Sequence, residues 1–139
     1  MKTLIILQND LEMLDLLLEK YPKETLNNVT FHFVNDTRFV DKRKEIESAI
    51  LYSNCDPIKK NYVVHDSKDI EKESLQMINP LSDLSELFFK NYRYNLQFTI
   101  PIYFSNKASK IFMTDDDVVF YQDASLLFNY ENAFIRVPF

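Results

Sequence analysis

The chain has 139 residues and a net charge of −5, enough length for one domain with a real core and a charge balance that argues against a nucleic-acid backbone as partner. It contains no glycine, which excludes the G-x-x-x-x-G-K-[ST] and G-x-G-x-x-G phosphate loops and disfavours P-loop NTPases, kinases and dinucleotide oxidoreductases. A single cysteine, Cys55, leaves no internal disulfide; no apolar run nears the ~20 residues of a membrane span, and Leu4 to Leu7 is too short for a signal peptide, so a cytoplasmic protein without a membrane span is expected.

Thr3 to Leu7 is a near-continuous apolar run, the pattern of a strand buried on both faces. It ends at Gln8-Asn9-Asp10. Asn9 is placed to cap a helix with Glu12 three residues on, whose inward face is Leu11, Leu14, Leu17 and Leu18 and which Pro22 ends. Val29 to Val34 reads as a second strand ending at Asn35-Asp36; His32 inside it reads as a packing or surface residue. Asp41 to Tyr52 is a charged surface helix with Ile46, Ala49 and Ile50 as its apolar stripe, and Asn61 to His65 is a third strand ending at His65-Asp66.

Strands alternating with helices at this spacing predict an α/β fold: a Rossmann-like, mostly parallel sheet with flanking helices. Ligands in such sheets gather at the carboxyl ends of the strands, which draws attention to Gln8, Asn9, Asp10, Asn35, Asp36, His65 and Asp66; strand ends are also polar simply because chains turn there. Ser67 to Ser82 carries a charge run and Pro80 and reads as a mobile connection. From Leu84 to Thr99 helical spacing resumes, with Leu84, Leu87, Phe88, Tyr92 and Leu96 toward the core and Phe89, Arg93 and Gln97 as a neighbouring stripe. Pro101 is expected to break this helix and open a short second one through Phe104.

The chemically most pointed stretch follows. Ile111 to Met113 reads as a short strand that delivers Asp115, Asp116 and Asp117 to its carboxyl end. Adjacent carboxylates repel, so they are either spread into solvent as an acidic turn or held together by a cation. If the strand runs on through Val118 to Phe120, alternation sends Asp115 and Asp117 to one side and Asp116 to the other. Two carboxylates so spaced suit Mn²⁺ or Mg²⁺, hard ions that keep positions open for water or phosphate. The missing ligands then point to a substrate diphosphate. Asn132 to Val137 reads as a last strand.

This segment resembles the D-x-D element of nucleotide-sugar glycosyltransferases of the GT-A fold, in which an apolar strand leads into Asp-x-Asp, a hydrophobic pair and a D-x-S-x-L-F-like turn. The matching residues are Asp115 to Asp117, Val118, Val119, Asp123, Ser125, Leu127 and Phe128. Upstream, Asn95 to Pro101 is similar to the helix end that precedes the element in family-8 members, with Gln97 at the position of their arginine and Arg93 one turn earlier. Asp115-x-Asp117-x-Val119 also resembles the nucleophile motif of haloacid-dehalogenase-like phosphatases, although there the motif opens the domain.

The resemblance implies a single GT-A-like nucleotide-sugar-binding domain covering about the first half of such an enzyme. It implies Mn²⁺ or Mg²⁺ on Asp115 and Asp117, with Asp116 on the ribose or donor sugar, Arg93 or Gln97 on phosphate or sugar, and Gln8, Asn9 and Asp10 on the base and ribose. The donor would be a nucleoside-diphosphate sugar, a UDP-sugar foremost, and the acceptor is not legible. The rival expectation is a non-catalytic nucleotide-binding or assembly module of the same descent, whose exposed apolar edge would make it a homodimer.

Overall fold

The computed structural model describes residues 2–20, 29–78 and 96–117. Four strands form one sheet: β1 (Lys2–Leu7), β2 (Val29–Asn35), β3 (Tyr62–Asp66) and β4 (Ile111–Asp115), in the order β3-β2-β1-β4 and all parallel. Helices α1 (Leu11–Lys20), α2 (Arg43–Tyr52) and α3 (Asp56–Lys60) connect the first three strands, while α4 (Ser67–Ile78) and α5 (Leu96–Phe104) lie between β3 and β4 in the chain. The α/β, Rossmann-like architecture is therefore present, and no described helix is long and apolar enough to cross a membrane.

Strand alternation sorts the apolar residues into two cores. Leu4 and Ile6 of β1 and Phe31 and Phe33 of β2 pack with Leu14, Leu17 and Leu18 of α1 and Ile46 and Ile50 of α2 on one face. On the other, Ile5 and Val34 pack with Ile70 of α4 and Leu96, Ile100 and Phe104 of α5. Both faces of β1 are thus covered, which is why it reads as an unbroken apolar run. Fully burying a side chain such as Phe31 or Phe33 stabilises by about 1.5–3 kcal/mol, so this double layer carries the fold.

Four expectations are corrected. The segment from Ser67 is no mobile connection: α4 begins directly after β3, with Asp66 Oδ1 accepting the Lys68 N–H at 2.9 Å as its cap. Its inward face is Ile70 and Ser74, both wholly buried, and the Ser74 hydroxyl donates to the Thr99 carbonyl of α5 at 2.9 Å. Pro101 does not break α5, which runs through it with Ile100 and Phe104 buried on either side. Asp10, not Asn9, caps α1, its Oδ1 accepting the N–H of Glu12 at 2.9 Å and of Met13 at 3.3 Å. Finally, β4 ends at Asp115 and the chain turns at Asp116 and Asp117; the expected continuation through Val118 to Phe120, the helix from Leu84 to Asn95 and the last strand fall outside the described residues.

Candidate functional site

The chain leaves β1 through α1 toward β2 and β3 on one side, and returns through α4 and α5 to place β4 on the other side of β1. The strand order therefore reverses between β1 and β4. In open α/β sheets the crevice outside the carboxyl ends of the strands at such a switch point is where ligands bind. Leu7 is in register with Asp115, so this crevice is made by Gln8 to Asp10 on one side and Asp115 to Asp117 on the other.

The two sides are tied together by Asp116. Its Oδ2 accepts the backbone N–H of Asn9 at 2.9 Å and of Asp10 at 2.8 Å. The β1–α1 loop is also braced from within. Gln8 is buried, its N–H donates to Val34 O at 2.8 Å, and its amide donates to Asp10 O at 2.7 Å. Asn9 Oδ1 accepts the Asp36 N–H at 3.0 Å and the Asn35 amide at 3.2 Å, while Asn35 Oδ1 accepts the Lys42 N–H at 2.9 Å. Asp36 itself pairs with Arg38, whose guanidinium holds that carboxyl below the usual range against the opposing effect of burial.

Over this loop lies an open groove of about 670 Å³ lined by Asn9, Asp10, Leu11, Glu12, Lys42 and Asp116. Lys42 was not anticipated from the sequence. Its Nζ donates to Asn9 O at 3.1 Å, and it makes no ion pair among the described residues. The expected site residues divide accordingly. Asn9, Asp10 and Asp116 line the groove; Asp115 and Asp117, on either side of Asp116 in the chain, are exposed and are not among its lining residues. Gln8 and the Oδ2 of Asp116 are turned into the protein's own backbone, so they build the loop. Gln97 is exposed on the first turn of α5 and is not among the groove's lining residues; Arg93 lies outside the described residues, as do Asp123, Ser125, Leu127 and Phe128.

The electrostatics disfavour a bare anion at the loop. A bare anion at a helix N-terminus needs open N–H donors, and here Asp10 and Asp116 already accept from four of them, at Asn9, Asp10, Glu12 and Met13. The carboxyl of Asp115 is raised above its ordinary value by partial burial first, then by the charges of Asp117 and Asp116. A divalent ion would relieve that repulsion, and an exposed, all-oxygen donor set fits Mn²⁺ or Mg²⁺. Among the described residues no three His, Cys, Asp or Glu side chains converge on a point.

One cluster escaped the sequence reading altogether. His32 Nδ1 lies 2.8 Å from His65 Nε2 on the neighbouring strand, with ring centroids 5.1 Å apart and ring planes within 18° of each other. His32, expected as a packing or surface residue, has a histidine partner: the β2–β3 register puts it opposite Val63 and so two residues from His65 on the same face. No protein-family model, curated protein or solved structure was found to match the chain.

Proposed function

We propose that the chain is the donor-binding part of a metal-dependent glycosyltransferase of GT-A type, taking a nucleoside-diphosphate sugar, with a UDP-sugar favoured. The observation that carries this reading is the position of Asp115 and Asp117: two exposed carboxylates at the switch point, on a turn that Asp116 fastens to the β1–α1 loop. A bound Mn²⁺ or Mg²⁺ supplies charge neutralisation on the departing nucleoside diphosphate as the sugar's anomeric carbon becomes cationic. Asp115 and Asp117 hold the ion. Asp116 keeps their turn in register with β1, Asn9 and Asp10 face the nucleoside along the groove, and Lys42 meets phosphate oxygens as a point charge.

The test is calorimetric titration of UDP, GDP and their sugars into the purified chain with Mn²⁺ and then with EDTA. Metal-dependent binding of one nucleotide is expected, and Asp117→Asn should weaken it at least about tenfold, 1.4 kcal/mol, without lowering the melting temperature. An Asp117→Asn chain that binds as tightly as the parent would overturn the reading. Side chains exposed beside the sheet favour a second reading, a non-catalytic assembly module: Phe39, Val40, Leu51 and Tyr52 are all open to solvent. Such a module would bind the metal–nucleotide complex yet neither hydrolyse nor transfer the sugar, and would sediment as a homodimer.

A further inference from the structure

The second face of the sheet carries a cluster that the proposed site does not use. His32 and His65 are half-buried on adjacent strands, joined by the 2.8 Å N–H···N bond. The Phe104 ring of α5 stands roughly perpendicular to both imidazoles, its centroid 5.0 Å from that of His32 and 5.8 Å from that of His65, and Tyr103 stands likewise to His65 at 5.7 Å. The pair therefore sits at the seam between the sheet and α5. Beyond α5 a short turn leads into β4, where Ile111 and Met113 pack in the same core as Phe104.

We propose that the His32–His65 pair is an acid-released pin: neutral, it holds α5 against β2 and β3; doubly protonated, it loosens α5 and the β4 edge that follows. One proton suffices for the N–H···N bond, since one ring donates and the other accepts. A second charge 2.8 Å from the first repels it and leaves two N–H donors facing each other with no acceptor between them.

The surroundings agree. Burial, then the charge of His65, lowers His32 from its ordinary value of 6.5 to about 4. Burial, then Lys107, lowers His65. Among the described residues the charged and titratable groups around the seam are Tyr103 of α5, Lys107 of the following turn, and Glu73 and Asp69 of α4. Lys107 sits 4.0 Å from the Tyr103 ring centroid and pairs with Glu73 at 2.8 Å, so among the described residues the charge that lowers His65 belongs to a cation partly neutralised by a carboxylate. Tyr103 is raised, chiefly by burial, and stays neutral throughout the range concerned.

Unfolded, each imidazole takes its proton near pH 6.5, whereas folded His32 refuses it until about pH 4. Within that window the unfolded chain carries more protons. The pinned form is therefore fully stable above it and loses stability as pH falls, by about tenfold in the folding constant per pH unit for each proton withheld.

The experiment follows the imidazole resonances by NMR from pH 8 to pH 4 and the hydrogen exchange of backbone amides, corrected for intrinsic rates, at pH 7 and pH 5. His32 is expected to titrate far below an ordinary histidine, and protection of α5 amides to fall at least about tenfold while that of α1 falls less. A chain with His32→Phe and His65→Phe, which keeps the aromatic seam, should lose that difference. Ordinary titration of both histidines, equal loss of protection in α1 and α5, or an unchanged pH response in the double variant would each overturn the proposal. The unmodified chain decides the matter through its own titration and exchange even if the double variant does not fold.

Discussion

Asp116 does for the candidate site what a bound anion does for other helix N-termini: it fills the donors. Because its one oxygen accepts both the Asn9 and Asp10 N–H groups, Asp116→Ala leaves two loop donors without their charged partner and should cost about 1.5–3 kcal/mol in urea unfolding. Asp116→Asn keeps an acceptor oxygen and should lose less. Equal stability of the alanine chain and the parent would remove the clamp from the account. The Asp triplet at a strand end was legible from the sequence because it depends only on local pattern. Which carboxylate turns inward was not, because that follows from the register of Leu7 with Asp115, fixed by two segments more than a hundred residues apart. The same holds for Asn9 and Asp10: both are good caps, and Asp10 takes the role while the Asn9 oxygen accepts from Asp36 and Asn35. Gln8 drew attention by its place at the carboxyl end of β1; here it is buried and spans the loop to Asp10.

At the scale of elements, the sequence misled where packing overrode a local signal. The run from Lys68 to Glu73 is charged enough to pass for a loop, and α4 has only a narrow inward face in which a serine, Ser74, occupies a wholly buried position. That face works because the hydroxyl bonds across to Thr99, a partner no sequence window contains. Proline is the opposite case. Its signal is strong, yet burial of Ile100 and Phe104, at about 1.5–3 kcal/mol each, offsets a cost of about 3 kcal/mol for an interior proline. Because Pro101 is exposed and inside α5, Pro101→Ala restores an N–H and removes the ring clash, while making the unfolded chain more flexible; the net gain expected in urea unfolding is about 1–2 kcal/mol. A loss of stability would mean that α5 depends on the bend proline imposes.

For the molecule as a whole, apolar strand runs and strand–helix spacing announced an α/β parallel sheet, while the position of β4 beside β1, and so the switch point, emerged only from the structure. The same reversal links the proposed ligand to global stability. Among the described residues β4 pairs with β1 alone, and its turn is fastened to β1 by Asp116; an ion on Asp115 and Asp117 with a diphosphate reaching across to Lys42 would bridge the strands on either side of the reversal. It would also quench the repulsion from Asp117 and Asp116 that, after burial, raises Asp115. A ligand that binds only the folded chain at about a hundred times its Kd stabilises by about 2.7 kcal/mol, or about 10 °C in melting temperature at roughly 4 °C per kcal/mol for a chain this size. Mn²⁺ with UDP or its sugar should reach that shift, and UDP in EDTA should give almost none, since α1's leading donors are already taken by carboxylates. A shift with UDP in EDTA as large as with Mn²⁺ would mean that the nucleotide meets the chain directly and that the acidic turn plays no part in holding it.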